Sequence, residues 1–227
     1  MGCHGSSGRK FSPILPRGSE QKWSKGLGEV AHDTLKSALG EKGAAKTMGD
    51  SMLSTNPYYN GDYREYSENC QRVVVAYEAR RRGYDVTAQP TYKGDTLNQV
   101  AYDDGKSGIA RGRWMGAFQG AKPINVSSRK QGEAGEREVM NNISKNMANF
   151  GEGSRGVVQI FYKDGGGHVF NVERKNGKTQ WIEAQTGKVK DIDNVMKYVK
   201  TSKVALVRTD NLKLSDRAKR FVTPAKK

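Results

Sequence analysis

The segment 156–185 constrains this chain more than any other. Two runs that alternate apolar and polar residues, 168–173 and 179–185, flank Asn176-Gly177. Asn-Gly between such runs is a strong hairpin signal, because both central residues of a type I′ turn take positive φ. A two-residue loop also fixes the register. Lys175 then pairs with Lys178, and counting outward sets His168 opposite Gln185, with Glu183 diagonal to His168 on the same face. Opposed Cβ atoms stand about 5 Å apart and diagonal ones about 7 to 8 Å, within reach of an imidazole–carboxylate hydrogen bond. A strand at 156–162 precedes this hairpin. Between them Gly165-Gly166-Gly167 lacks side chains, as expected where a ligand or another backbone comes close at a cleft edge. A helix over 191–200 and a strand over 203–208 complete this third of the chain.

A second helix is predicted to begin at Cys70. Val73, Val74 and Tyr77 share a face with it, either Ser67 or Asn69 caps its start, and Gly83 stops it after Arg80, Arg81 and Arg82. A short strand at 84–88 follows. In 133–149, Val139, Ile143 and Met147 step by four, giving a surface helix that stops at Gly151. In 23–39, Leu27, Val30, Ala31, Leu35, Ala38 and Leu39 recur at helical spacing and predict one amphipathic helix. The stretch 90–130 has no clear period; Trp114, Met115 and Phe118 anchor it, and it is expected to line a cleft. The division that follows is a flexible basic extension over 1–50, a catalytic domain over 51–208 and a basic tail over 209–227.

Cys3 and Cys70 are the only cysteines and His4, His32 and His168 the only histidines. Neither a disulfide framework nor a zinc site is expected from so few. No apolar run approaches the roughly 20 residues that span a bilayer, so the expectation is a soluble protein. The net charge of +15 favours nonspecific contact with DNA or other polyanions. Arg80, Arg81 and Arg82 form one candidate patch, and Lys213, Arg217, Lys219, Arg220, Lys226 and Lys227 another. Met1-Gly2-Cys3 fits a loose acylation pattern, although that pattern asks for little beyond Gly2 and one hydroxyl. No secretory leader is visible.

A thiol is a useful nucleophile as its thiolate, which the first turn of a helix and a neighbouring histidine both favour. Cys70, His168 and Glu183 therefore form a candidate nucleophile, base and orienting group. An oxyanion formed at Cys70 would need donors. The backbone N–H of Cys70 is one, and the amides of Asn69, Gln71 and Gln185 are further candidates.

Three blocks occur in order: Asn69-Cys70-Gln71-Arg72 leading to Arg80-Arg81-Arg82-Gly83-Tyr84-Asp85-Val86, then Gly166-Gly167-His168-Val169-Phe170-Asn171-Val172, then Ile182-Glu183-Ala184-Gln185-Thr186-Gly187. Together they resemble the papain-fold toxin family of protein-glutamine deamidases, found in bacterial polymorphic toxins, effectors and phage proteins. The resemblance runs over roughly 56–208. It implies an α+β, papain-like cysteine hydrolase fold, with the nucleophile at the N-terminus of a helix packed on an antiparallel sheet. It also implies a protein substrate deamidated at a glutamine side chain through a Cys70 thioester, no cofactor, and an immunity protein as a partner. The chain would be a secreted or injected effector or a phage-delivered protein, and otherwise cytoplasmic. Aspartate is usual in the family at the position of Glu183, and papain-like proteases carry glutamine where this chain has Arg64. Cleavage or acyl transfer by the same machinery stays open. So does a different role, a virion-associated structural or nucleic-acid-binding protein that uses the scaffold without catalysis.

Overall fold

The computed structural model describes residues 22–23, 28–98 and 112–226; the Gly2-Cys3 motif, Leu27 and Lys227 lie outside them. The helices are α1 (Leu35–Leu39), α2 (Met48–Ser54), α3 (Arg64–Ser67), α4 (Cys70–Arg81), α5 (Gly132–Phe150) and α6 (Ile192–Met196). The strands are β1 (Val86–Ala88), β2 (Ile124–Asn125), β3 (Arg155–Phe161), β4 (Gly167–Lys175), β5 (Lys178–Glu183), β6 (Lys188–Val189), β7 (Ala205–Arg208) and β8 (Val222–Pro224). Short 3-10 turns cover Thr96–Asn98, Arg113–Ala117 and Asp216–Arg220.

Six strands form an antiparallel sheet in the order β2-β7-β3-β4-β5-β6. Its two faces are separated by the period of two along each strand. Val157, Val169, Ile182 and Val207 join the core that contains α4. Val158, Ile160, Phe170, Val172 and Leu206 join a second core with Val139, Ile143 and Met147 of α5 and Val195 and Met196 of α6. Because both faces are covered, the central strands β3 and β4 are buried on both sides.

Helix α4 departs from the amphipathic element its spacing suggests. Every residue from Cys70 to Arg80 is buried. It is a central helix, and its charged side chains are matched by internal partners, as buried charges require. Glu78 accepts from Arg82 Nε at 2.8 Å and from Arg155 Nε and Nη2, both at 2.9 Å. Arg80 pairs with Asp85 at 2.8 Å and Arg81 with Glu173 at 2.6 Å. The run Arg80-Arg81-Arg82, read from sequence as a basic patch, is thus engaged by carboxylates: Arg81 and Arg82 by the buried Glu173 and Glu78, and the buried Arg80 by the exposed Asp85.

Two further expectations are corrected. The helix expected over 23–39 contracts to Leu35–Leu39. A capping box sets its start, with Thr34 Oγ1 accepting from Ser37 N at 3.0 Å and Thr34 N donating to Ser37 Oγ at 3.2 Å. The residues before it bond to distant chain instead: Val30 O accepts from Gln89 Nε2 at 3.0 Å, Glu29 pairs with Arg220 at 2.9 Å, and His32 Nε2 lies 3.2 Å from Thr223 Oγ1. The stretch expected as a basic tail from residue 209 is folded. Ala218, Phe221 and Val222 are buried in the α4 core, and β8 pairs with β1 from Val86↔Pro224 to Ala88↔Val222. Helix α6 is also shorter than the 191–200 expected, with Asp191 capping it by accepting from Asn194 N. Among the described residues, no helix is long and apolar enough to cross a membrane.

Candidate active site

Cys70 is the first residue of α4, and Asn69 is its N-cap. Asn69 O accepts from Arg72 N at 2.8 Å and Val73 N at 3.0 Å, which starts the helix. Its side chain makes no capping bond, because the carboxamide is used elsewhere. Nδ2 donates to Asn56 Oδ1 at 3.0 Å and Gln89 O at 3.1 Å, and Oδ1 accepts from Gln185 Nε2 at 3.2 Å. Asn56 Nδ2 in turn donates to Gln185 O at 2.9 Å. This chain of amides fastens the loop after β5 to the start of α4. The Cys70 thiol is unbridged and fully buried.

The β4–β5 hairpin has the register counted from Asn176-Gly177. The ladder runs from Lys175↔Lys178 to Asn171↔Ile182, with Asn176 and Gly177 both at positive φ. His168 Nε2 lies 2.8 Å from Glu183 Oε2, across the diagonal, and both residues are buried. The ladder ends before His168 would meet Gln185. Beyond Glu183 the chain turns through Gly187, at φ +69°, and returns as β6, which pairs Glu183 with Lys188. Gln185 therefore sits beside Asn69, whereas Gln71 points its amide to other backbone, accepting from Trp114 N at 2.9 Å and donating to Leu97 O. Gly165 and Gly166, at φ +105° and +72°, form the tight β3–β4 turn, which is reason enough for glycine there.

The first turn of α4 and the start of β4 lie at one end of the sheet. Helix and strand run in the same direction: Asn171 Nδ2 donates to Val74 O at 3.3 Å, and one step further along both, Tyr77 Oη donates to Glu173 Oε1 at 2.6 Å. Going back along each element leads to Cys70 and to His168. Cys70 belongs to the α4 core, while His168 shares the opposite face with Phe170, their rings stacked at 6.2 Å. Any approach of thiol to imidazole therefore crosses this end of the sheet. Tyr162, just beyond β3, stands there; burial raises its phenol pKa, and the charges of Glu183 and Cys70 raise it further. Tyr59, in the turn after α2, is pushed up to about 12 by burial and by Glu183.

Sequence reasoning missed Lys190. Its ammonium bonds Glu183 Oε2, the same oxygen that His168 meets, and lies 4.7 Å from the centroid of the Phe170 ring. Burial alone would raise the Glu183 carboxyl, but Lys190 and His168 outweigh it and hold the group at about 2. Glu183 is therefore ionised at neutral pH. The missed signal was a second turn: Thr186-Gly187 returns the chain along β5 and delivers Lys190 beside the carboxylate. Among the described residues, no three His, Cys, Asp or Glu side chains gather as a metal site would need.

The family model Gln_amidase, described as papain fold toxin 1, glutamine deamidase, matches residues 68–188. That span takes in Cys70, His168 and Glu183 and ends two residues short of Lys190. No curated protein and no solved structure matches the chain.

Proposed function

The chain belongs to the papain fold toxin 1 glutamine deamidase family, and from that premise we propose that it converts a glutamine side chain of a target protein to glutamate, with Cys70 as nucleophile and His168 as base. The supporting observation is the buried His168–Glu183 pair at 2.8 Å at the end of the sheet where α4 begins. With Nε2 committed to the carboxylate, Nδ1 is the ring nitrogen that exchanges protons with the thiol. Glu183 fixes the tautomer and the ring plane, the role a carboxylate plays beside a catalytic histidine.

In the first half-reaction the thiol proton passes to His168, Sγ attacks the carboxamide carbon, and the tetrahedral intermediate collapses as the imidazolium protonates the departing ammonia. A thioester remains. In the second, His168 takes a proton from water, the resulting hydroxide attacks the thioester, and glutamate leaves as the thiol is restored. The net change is one water consumed and one ammonia released. The backbone N–H of Cys70 and the second N–H of the Gln185 amide are the donors we assign to the oxyanion. Both N–H groups of the Asn69 amide are committed to Asn56 and Gln89, so it serves as the support of Gln185. Gln71 braces Leu97 and Trp114. Because the thiol is fully buried, the surrounding segments must part as the glutamine side chain enters.

The target is a protein of a cell into which the chain is delivered, as a toxin, an effector or a phage-carried protein. A nucleic-acid-binding scaffold is the less favoured role, since Arg80 is itself buried and paired with Asp85, and Arg81 and Arg82 are held by the buried Glu173 and Glu78, so the run is not presented to a polyanion. The test is incubation of the purified protein with a cell extract, followed by peptide mass spectrometry for glutamine-to-glutamate conversion and an ammonia assay. Conversion at a small set of sites, lost in Cys70→Ala, is expected. Absence of Cys70-dependent conversion, together with sequence-independent DNA binding that collapses with salt, would favour the scaffold role.

A further inference from the structure

Lys190 is an unusual group to find where it is. A lysine buried to this degree, at 6% exposure, loses its hydration, a cost that partners must offset. Methionine would fill the same space without that cost. The ammonium has a carboxylate and the face of Phe170 as partners, and ring faces attract cations. Phe170 in turn stacks on His168. Cation, ring, imidazole and carboxylate thus form one cluster on one face of the sheet.

The chemistry of a cysteine–histidine pair explains why a cation belongs there. The imidazole must take up and release a proton near neutral pH. A buried carboxylate 2.8 Å from Nε2 would by itself favour the imidazolium by about one to three pH units and hinder the second half-reaction, in which the ring must accept a proton from water. An ammonium on the same carboxylate oxygen cancels most of that field. The other titratable groups facing the cluster are Cys70 from α4, Tyr59 after α2 and Tyr162 after β3, with Asp164 in the β3–β4 turn acting on Tyr162. All of these are neutral or anionic; Lys188, which β6 pairs with Glu183, is exposed to solvent, so Lys190 supplies the buried compensating positive charge.

We propose that Lys190 is a positioning residue for the Cys70–His168 pair: by neutralising Glu183, it lets the carboxylate orient the imidazole without locking the ring in its protonated form. This rests on the deamidase mechanism above. Its consequence is that Glu183 and Lys190 act together as a near-neutral orienting unit and that neither charge can be removed alone without retuning His168.

The experiment is an NMR titration of the His168 ring in a Cys70→Ala background, where no thiol titrates against it; the chain has three histidines, so the signals are few. The His168 pKa of that parent is the reference. Lys190→Met and Lys190→Gln should raise it by about one to two units, Lys190→Arg should leave it in place, and adding Glu183→Gln to Lys190→Met should bring it back. A folded Lys190→Met or Lys190→Gln protein with an unmoved His168 pKa would overturn the proposal and make Lys190 a packing residue. Should neither neutral variant fold, Glu183→Gln alone decides: with the ammonium left in place the His168 pKa should fall below that of the parent, and an unmoved value overturns the proposal. Failure of the enzyme assignment has a different signature, Cys70 alkylation in the intact protein that ignores His168→Ala.

Discussion

Two glutamates of one hairpin, Glu173 on β4 and Glu183 at the end of β5, are almost equally buried, at 2% and 5% exposure, yet their surroundings differ in kind. Glu173 points toward α4, where Arg81 grips it through Nε at 2.6 Å and Nη2 at 3.1 Å and Tyr77 Oη donates at 2.6 Å. A guanidinium does not titrate in this range, and burial together with the Glu173 charge raises the Tyr77 phenol far above it. This cluster is static and ties helix to sheet. Glu183 lies on the other face with His168 and Lys190, and an imidazole changes charge near neutral pH. Similar burial and the same residue type thus yield a brace in one place and a candidate proton-handling site in the other. What separates them is whether a partner can gain and lose a proton.

Substitutions can break this contrast, and the largest effect should fall on the titrating side. Cys70→Ala and His168→Ala should each reduce deamidation by roughly a thousandfold or more, with the fold retained by circular dichroism. On the static side, Arg81→Ala should leave Cys70 reactivity unchanged and instead cost about 3 kcal/mol in chemical denaturation, because Glu173 stays buried after losing its bidentate partner. A smaller effect is expected for Glu183→Gln: about a tenfold to hundredfold loss in kcat/KM, equivalent to about 1.4 to 2.7 kcal/mol. The same variant carries a pH signature. Glu183 is held at about 2 in the fold against an ordinary 4.5, so its contribution to stability is complete above about pH 4.5 and is lost as pH falls toward 2. Glu183→Gln should therefore flatten the acid limb of stability measured between those limits. The smallest structural effect is that of Tyr77→Phe, about 1.5 kcal/mol, the low end for a hydrogen bond to a charged acceptor, because Arg81 still holds Glu173, with activity intact.

The hairpin was legible because its information is local. Asn176-Gly177 determines a turn type, the turn type determines the register, and the register brings His168 and Glu183 together before any tertiary contact is considered. Lys190 was legible in principle by the same logic at Thr186-Gly187, but a lysine in a chain of charge +15 offers no reason to look for it in the interior. Gln185 was named as a site residue, but its expected place opposite His168 failed because β5 ends at Glu183, so counting two residues further along the ladder passed its end. The N- and C-terminal segments were illegible for a different reason. Glu29, Val30 and His32 are held by Arg220, Gln89 and Thr223, contacts across long stretches of chain that no period records, and they replace a helix that spacing alone favoured. Likewise the burial of α4 on all sides depends on which carboxylates meet its arginines, and those lie on β4 and in the segment after Arg82.

The central claim, that Cys70 and His168 form an activated pair, is tested most directly by the rate of Cys70 alkylation with iodoacetamide from pH 5 to 9, followed by intact mass in wild type and His168→Ala, both with Cys3→Ser. Alkylation that persists well below the ordinary thiol pKa of about 8.5 in the wild type, and falls to ordinary-thiol behaviour when His168 is removed, is the expected result. Ordinary-thiol profiles in both proteins, or no alkylation in either, would contradict it.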